Sequence, residues 1–269
     1  MDLEKMRQDA AALLEGGRAT LVVGFRERAG ECVPAFVTAA EGTAVLTYDE
    51  SCMANPAAYL RKTEVRRRTP VALVARPEVM RSLILLKAEH QVSDEEVLVL
   101  GVGDDTYHGV LTLAETEQLL NEQYPDPSPD EATLAEIERI QALPPEERAR
   151  FWSEQLAKCT RCYACRAACP MCYCERCIVE RNVPQWISTA AREHGNYAWN
   201  VIRAFHLAGR CTECGACEAA CPQGIPLMLL NSLMAREVRD TYGEKPGYDA
   251  EAQPVIGSWN KEDDDDFIR

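Results

Sequence analysis

Apolar residues recur at helical spacing through Leu3, Met6, Ala10, Leu13 and Leu14, and Gly16-Gly17 follows, so the chain opens on a helix with a glycine stop. Short β-branched and aromatic runs come next: Thr20–Phe25, Cys32–Val37 and Ala44–Tyr48, each bounded by a break, which predicts three strands. Pro34 cannot donate to a ladder, so its strand belongs at an edge or a bulge. Asn55-Pro56 reads as a helix cap followed by proline at the first helical position. Val71–Ala75 is apolar throughout, as in a parallel strand covered on both faces. Pro77 starts a helix to about Glu89, and Val97–Val102 is a further strand. Strand, helix and strand in this order imply a right-handed parallel crossover.

Three prolines in Tyr124–Pro129 mark a linker. Helices over 130–142 and 145–157 should follow, and another near Asn196–Leu207. The expected organisation is an α/β domain over 1–123, linker and helices over 124–157, a mostly α-helical dicluster ferredoxin-like domain over 158–242, and a mobile acidic tail over 243–269 that includes Lys261–Asp266.

At 269 residues and 46% hydrophobic content the chain can bury a sizeable core. Met1–Met6 opens on polar and acidic residues without the apolar core of a signal peptide, and no apolar run reaches the length of a membrane span. A soluble, cytoplasmic protein is expected. A formal net charge of −14 argues against nonspecific nucleic-acid binding.

The cysteines change the picture most. Two copies of one pattern occur, Cys159-x2-Cys162-x2-Cys165-x3-Cys169-Pro170 and Cys211-x2-Cys214-x2-Cys217-x3-Cys221-Pro222, the bacterial ferredoxin spacing for a [4Fe–4S] cluster. Two in-register copies that both end in Cys-Pro argue against zinc. Of the 13 cysteines, 11 fall between Cys159 and Cys221, too close together for a disulfide framework, so metal ligation in a reducing compartment is the better reading. In such repeats the fourth cysteine serves the other cluster. Cluster A then takes Cys159, Cys162, Cys165 and Cys221, and cluster B takes Cys211, Cys214, Cys217 and Cys169. Small residues in the loops (Ala164, Gly215, Ala216) let backbone N–H groups approach the sulfurs. Arg161, Arg166 and Arg210 either add positive charge there or are surface arginines.

Cys172, Cys174 and Cys177 exceed what two clusters need. One reading is a third [4Fe–4S] cluster completed by Cys52, which follows a strand at the start of a βα loop, with Cys32 the weaker candidate for that fourth place. The others are a different metal at that site, and small packing thiols that hold no metal. No dinucleotide fingerprint, phosphate loop, histidine pair or nucleophile–base motif is present, so no catalytic residue is assigned.

Residues Leu21–Gly24, Cys52–Leu60 and Val71–Val102 resemble the amino-terminal domain of deazaflavin-dependent hydrogenase and dehydrogenase beta subunits. The cysteine half resembles the dicluster iron–sulfur subunits that accompany heterodisulfide-reductase-type complexes, formate dehydrogenases and hydrogenases of anaerobes. The resemblance implies an electron-transfer subunit relaying single electrons between a flavin, dehydrogenase or hydrogenase subunit and a second redox partner. A catalytic flavin- or deazaflavin-binding beta subunit, and a structural or regulatory iron–sulfur protein, are the alternatives. Where that group carries a Pro-Cys-Asp-type turn, this chain has Arg76-Pro77-Glu78-Val79, which counts against flavin chemistry of its own and leaves the front domain as a docking scaffold.

Overall fold

The structure, a computed structural model, describes residues 1–127, 129–181, 183–185 and 187–254. A five-stranded mixed sheet in the order β2-β1-β3-β4-β5 fills the front of the chain. Its strands are β1 (Leu21–Arg28), β2 (Glu31–Val37), β3 (Val71–Ala75), β4 (Val97–Gly103) and β5 (Thr106–Leu111). β1, β3 and β4 run parallel, and β2 and β5 close the two edges antiparallel. The helices are α1 (Leu3–Glu15), α2 (Thr63–Arg66), α3 (Pro77–Ala88), α4 (Leu113–Gln123), α5 (Glu131–Gln141), α6 (Pro145–Ala157), α7 (Ala164–Ala167), α8 (Glu193–His206), α9 (Ala216–Ala219) and α10 (Leu227–Tyr242). Among the described residues every regular element after β5 is a helix.

The central strand β3 has no exposed residue, because both faces are covered. Its alternation sorts the core. Val71, Leu73 and Ala75 face α3 and α4, whereas Ala72 and Val74 face α1. Each Val or Leu buried here contributes about 1.5–3 kcal/mol. Asp2 starts α1 by accepting from the Lys5 amide at 2.9 Å, and Met6, Ala10 and Leu13 form its buried stripe. Pro34 lies on the edge strand β2, opposite Phe25.

Two front elements differ from expectation. Residues 40–45 form a 3-10 helix in place of a strand at 44–48, and only Thr47 bridges to Phe25. Strand β3 pairs with β1 only over Leu21–Val23, and the single bridge to Thr47 falls on the part of β1 beyond it. β5 and α4 were not anticipated. Thr112 caps α4 through a reciprocal bond with Glu115.

The expected tail also divides. Residues 245–250 return to the front unit. Arg81 Nε donates to the Pro246 carbonyl at 3.1 Å, the Tyr248 hydroxyl donates to the Tyr124 carbonyl at 2.5 Å, and Lys245 Nζ donates to the Pro125 carbonyl at 3.0 Å. This strap holds the proline-rich linker against the sheet. Lys261–Asp266 lie outside the described residues. No helix among the described residues is long and apolar enough to cross a membrane.

Candidate metal centres

The two cysteine loops share one backbone path. In the first, Arg161 and Tyr163 have φ of 59° and 61°; in the second, Glu213 and Gly215 have 56° and 75°. Left-handed residues on either side of the middle cysteine turn amides inward: Arg161 N donates to Cys159 Sγ and Glu213 N to Cys211 Sγ, each at 3.4 Å. A single turn of helix follows in each, α7 and α9, and then Cys-Pro. Proline blocks continuation and sends the fourth cysteine away from its own loop.

Cys169 leaves the first loop and lines one cavity with Cys211, Cys214 and Cys217 of the second. Cys221 leaves the second and packs with Cys159 and Cys165 around Leu156, Ile225 and Leu227, where Cys217 of the second loop also lies. Cys162 is exposed at the rim of its loop. These eleven thiols from Cys159 to Cys221 are all unpaired with one another. Burial raises the thiols of Cys165, Cys211 and Cys214, and pushes Cys217 up to about 12.

Their spread separates the candidate groups. Zinc bonds of about 2.3 Å draw four sulfurs to roughly 3.8 Å from one another. Among the described residues, the one set of three metal-binding side chains whose ligand atoms all come within 4.8 Å is Cys32, Asp49 and Cys52, none from the two loops. The loop cysteines are held apart, as ligands to several irons must be, with amides aimed at the sulfurs. The residues fit a [4Fe–4S] group. Residues 155–225 match the 4Fe-4S dicluster domain. The chain is also 35% identical over 106 residues to the F420-dependent formate dehydrogenase subunit beta of Methanocaldococcus jannaschii. It is 33% identical over 106 residues to the F420-dependent formate dehydrogenase 1 subunit beta of Methanococcus maripaludis. Each match covers 39% of this chain and 27% of the relative.

The second loop sits under the sheet unit. Arg76, at the end of β3, donates to the Cys214 carbonyl and pairs with Glu78 at 2.9 Å. This is the turn where the resembled beta subunits carry cysteine and aspartate, and here it grips the loop. Arg81 is 2% exposed and donates to the Thr212 carbonyl at 3.2 Å. Ser82 and Thr212 share a hydrogen bond at 2.8 Å, and Asn55 Nδ2 donates to Ser82 Oγ at 3.0 Å. A cavity of about 740 Å³ opens beside Cys214, at the end of β3 and β4, with seven carboxylates and two arginines in its lining.

Arg203 is the residue the sequence reading missed. It projects from α8 into the space between the two cysteine sets. Burial works against its charge, yet the thiols of Cys169, Cys172, Cys217 and Cys165 outweigh that and hold the guanidinium above its ordinary range. The signal was present: Gly195, Asn196, Trp199, Asn200, Arg203 and Ala204 form one buried stripe at helical spacing, and an arginine on such a stripe must have a partner. The three arginines flagged from sequence have other employment. Arg161 donates to the Ser188 carbonyl at 2.6 Å and lies over Trp199; Arg166 pairs with Glu180 at 2.8 Å; Arg210 pairs with Glu89 at 2.7 Å.

Cys172, Cys174 and Cys177 line a common cavity with His206, Arg203 and Trp199. The neighbouring Cys169 thiol, despite burial, lowers Cys172 to about 7. Cys52 does not join them. It is bonded to Cys32 in a disulfide, 1% exposed, in the layer of the core that faces α1. Cys172 packs on the opposite face, with Met171 and Leu207. Sequence spacing put Cys52 on the correct loop and said nothing of which face its side chain would take.

Proposed function

We propose that this chain relays single electrons within a larger oxidoreductase, between a flavin, dehydrogenase or hydrogenase subunit and a second redox partner. The observation that carries the reading is a pair of equivalent cysteine loops whose fourth cysteines, Cys169 and Cys221, each lie beside cysteines of the other loop, with the second loop beneath the sheet unit and the first reaching solvent at Cys162. Cys211, Cys214, Cys217 and Cys169 would hold one cluster, and Cys159, Cys162, Cys165 and Cys221 the other. When bound, such clusters supply one-electron redox chemistry. The protein's own residues set the conditions. Amides of Arg161 and Glu213 and the Asn231 side chain donate to ligand sulfurs. Arg203 favours the more negative, reduced state of both. The sheet unit keeps water from the second loop. The similar proteins are named as beta subunits of formate dehydrogenases, which supports partner subunits in a complex.

The alternative, a flavin or deazaflavin held by the sheet unit, needs a site for phosphate. The large cavity beside Cys214 sets seven carboxylates against two arginines, which disfavours that ligand. Cys172, Cys174 and Cys177 are assigned to a third metal site, with His206 on the same cavity where Cys52 had been expected.

Anaerobically reconstituted protein should hold about eight irons for the two crossed sets, and about twelve with a third four-iron cluster. Reduced viologen should reduce the clusters quickly, and NADH or reduced deazaflavin should not without a partner subunit. Rapid reduction by either hydride donor would move the assignment to the flavin reading. Iron unchanged in a Cys174→Ser protein would make the three extra cysteines packing thiols.

A further inference from the structure

Cys32 and Cys52 form the one disulfide among the described residues, in a chain whose other eleven cysteines are free. Iron–sulfur ligands need reducing conditions, and a disulfide that exists under such conditions is usually transient, catalytic or redox-sensing. The bridge is also placed against the second cysteine loop. Met53, the next residue after Cys52, packs on Gly215 so closely that a Cβ there would stand 2.9 Å from Met53 Cε. Asn55, three residues after Cys52, donates to Ser82 Oγ at 3.0 Å, and Ser82 shares a hydrogen bond with Thr212 of that loop at 2.8 Å. Three residues span at most about 11 Å. A short, ordered stretch of one loop therefore joins the bridge to the loop that carries an assigned cluster ligand.

The surroundings suit thiol chemistry. The Asp49 amide donates to Cys52 Sγ at 3.4 Å, which favours a thiolate there. The exposed Asp49 carboxylate lies 3.9 Å from the same sulfur and is steadied by Ser51. The two sulfurs differ in access: Cys52 is buried, and Cys32, on the edge strand β2, is partly exposed. An outer sulfur that a partner can reach and an inner, buried one form an ordered pair.

We infer that Cys32–Cys52 is a redox-active disulfide, opened by electrons from the cluster at Cys214 and closed by exchange with an external disulfide. The inference rests on the cluster assignment above. The bridge takes two electrons, one from each of two reduced clusters, and two protons from solvent along Asp49. The S–S bond breaks and leaves two thiols, while each cluster returns to its oxidised state. Cys32, as thiolate, then attacks an external disulfide, releasing one of its thiols and forming a mixed disulfide. Cys52 displaces the second thiol and restores the bridge. The chain would thus convert one-electron traffic into the two-electron chemistry of a thiol pair.

The test uses the full, cluster-loaded chain under anaerobic conditions with reduced methyl viologen as electron donor. After an iodoacetamide quench, mass spectrometry of the Cys32 and Cys52 peptides reads whether they are linked or alkylated. The bridge should be intact in oxidised protein, lost from most molecules once the clusters are reduced, and retained in iron-free protein given the same donor. The wild type should accept about two more reducing equivalents than a Cys32→Ser/Cys52→Ser protein of equal iron content, because a disulfide is a two-electron couple. Peptides that stay linked while both cluster spectra show reduction would overturn this inference and leave the relay intact. A pair of free thiols in oxidised protein, or a metal ion held by Cys32, Asp49 and Cys52, would overturn it too. Clusters that cannot be loaded or reduced would instead remove the relay reading.

Discussion

Cys159–Cys169 and Cys211–Cys221 follow the same backbone path, with left-handed residues at matching positions and a single helical turn before Cys-Pro, yet their surroundings have little in common. The second loop is clamped by residues of the sheet unit: Arg76 on the Cys214 carbonyl, and Arg81 and Ser82 on Thr212. The first is flanked by α6 and α8 and leaves Cys162 open to solvent. Sequence identity in the motif thus builds two copies of one ligand loop, and the rest of the chain makes them different. An open loop suits exchange with a partner, and a covered loop suits retention or onward transfer within the chain.

The comparison breaks most visibly at the fourth cysteines. Replacing Cys169 with serine should remove about four irons and abolish the signal of the cluster on the second loop, while the first keeps its own. Replacing Cys221 should do the reverse. Anaerobic iron analysis with electron paramagnetic resonance checks both. If each substitution damages the loop it belongs to, the loops are independent modules and the crossed assignment fails.

A smaller effect is expected where the sheet unit grips the second loop. Arg81→Met removes two charged hydrogen bonds, to the carbonyls of Thr212 and Pro246, and leaves both acceptors buried. The loss should be about 3 kcal/mol, read as a lower urea midpoint under anaerobic conditions. Arg81→Lys should recover little, because an ammonium cannot fork between two carbonyls. A midpoint equal to wild type would mean that the second loop stands without the clamp.

This division follows what was legible in the sequence. Cysteine spacing is local, so both loops were visible at once, as were β3 from its unbroken apolar run and α1 from its stripe. Contacts between distant segments leave no local mark. Nothing near Arg81 announces Thr212 or Pro246, and nothing near Cys52 announces Cys32, which a hairpin strand brings to it. The strand expected at 44–48 failed for a related reason: its β propensity was real, but it keeps only the Thr47 bridge to Phe25. Arg203 was the recoverable omission, since it shares a helical face with Trp199 and Ala204.

Arg203 gives the finest test, because it bears on both loops at once. Its guanidinium donates to the Cys165 carbonyl at 3.2 Å, and its charge is held by thiols from both assigned sets, Cys165 from one and Cys169 and Cys217 from the other. Reduction adds a negative charge to each cluster, so a fixed cation between them stabilises the reduced forms and raises both potentials. Arg203→Gln keeps a donor for the Cys165 carbonyl and removes the charge. Both potentials should fall, by about 60 mV if the charge is worth ~1.4 kcal/mol to a one-electron couple. Arg203→Lys should return most of the shift, which a merely structural arginine would not predict. The measurement is a redox titration followed by electron paramagnetic resonance on protein with full iron content. A shift in one cluster alone would tie Arg203 to a single loop. No shift in either would reduce it to a helix residue that happens to be buried.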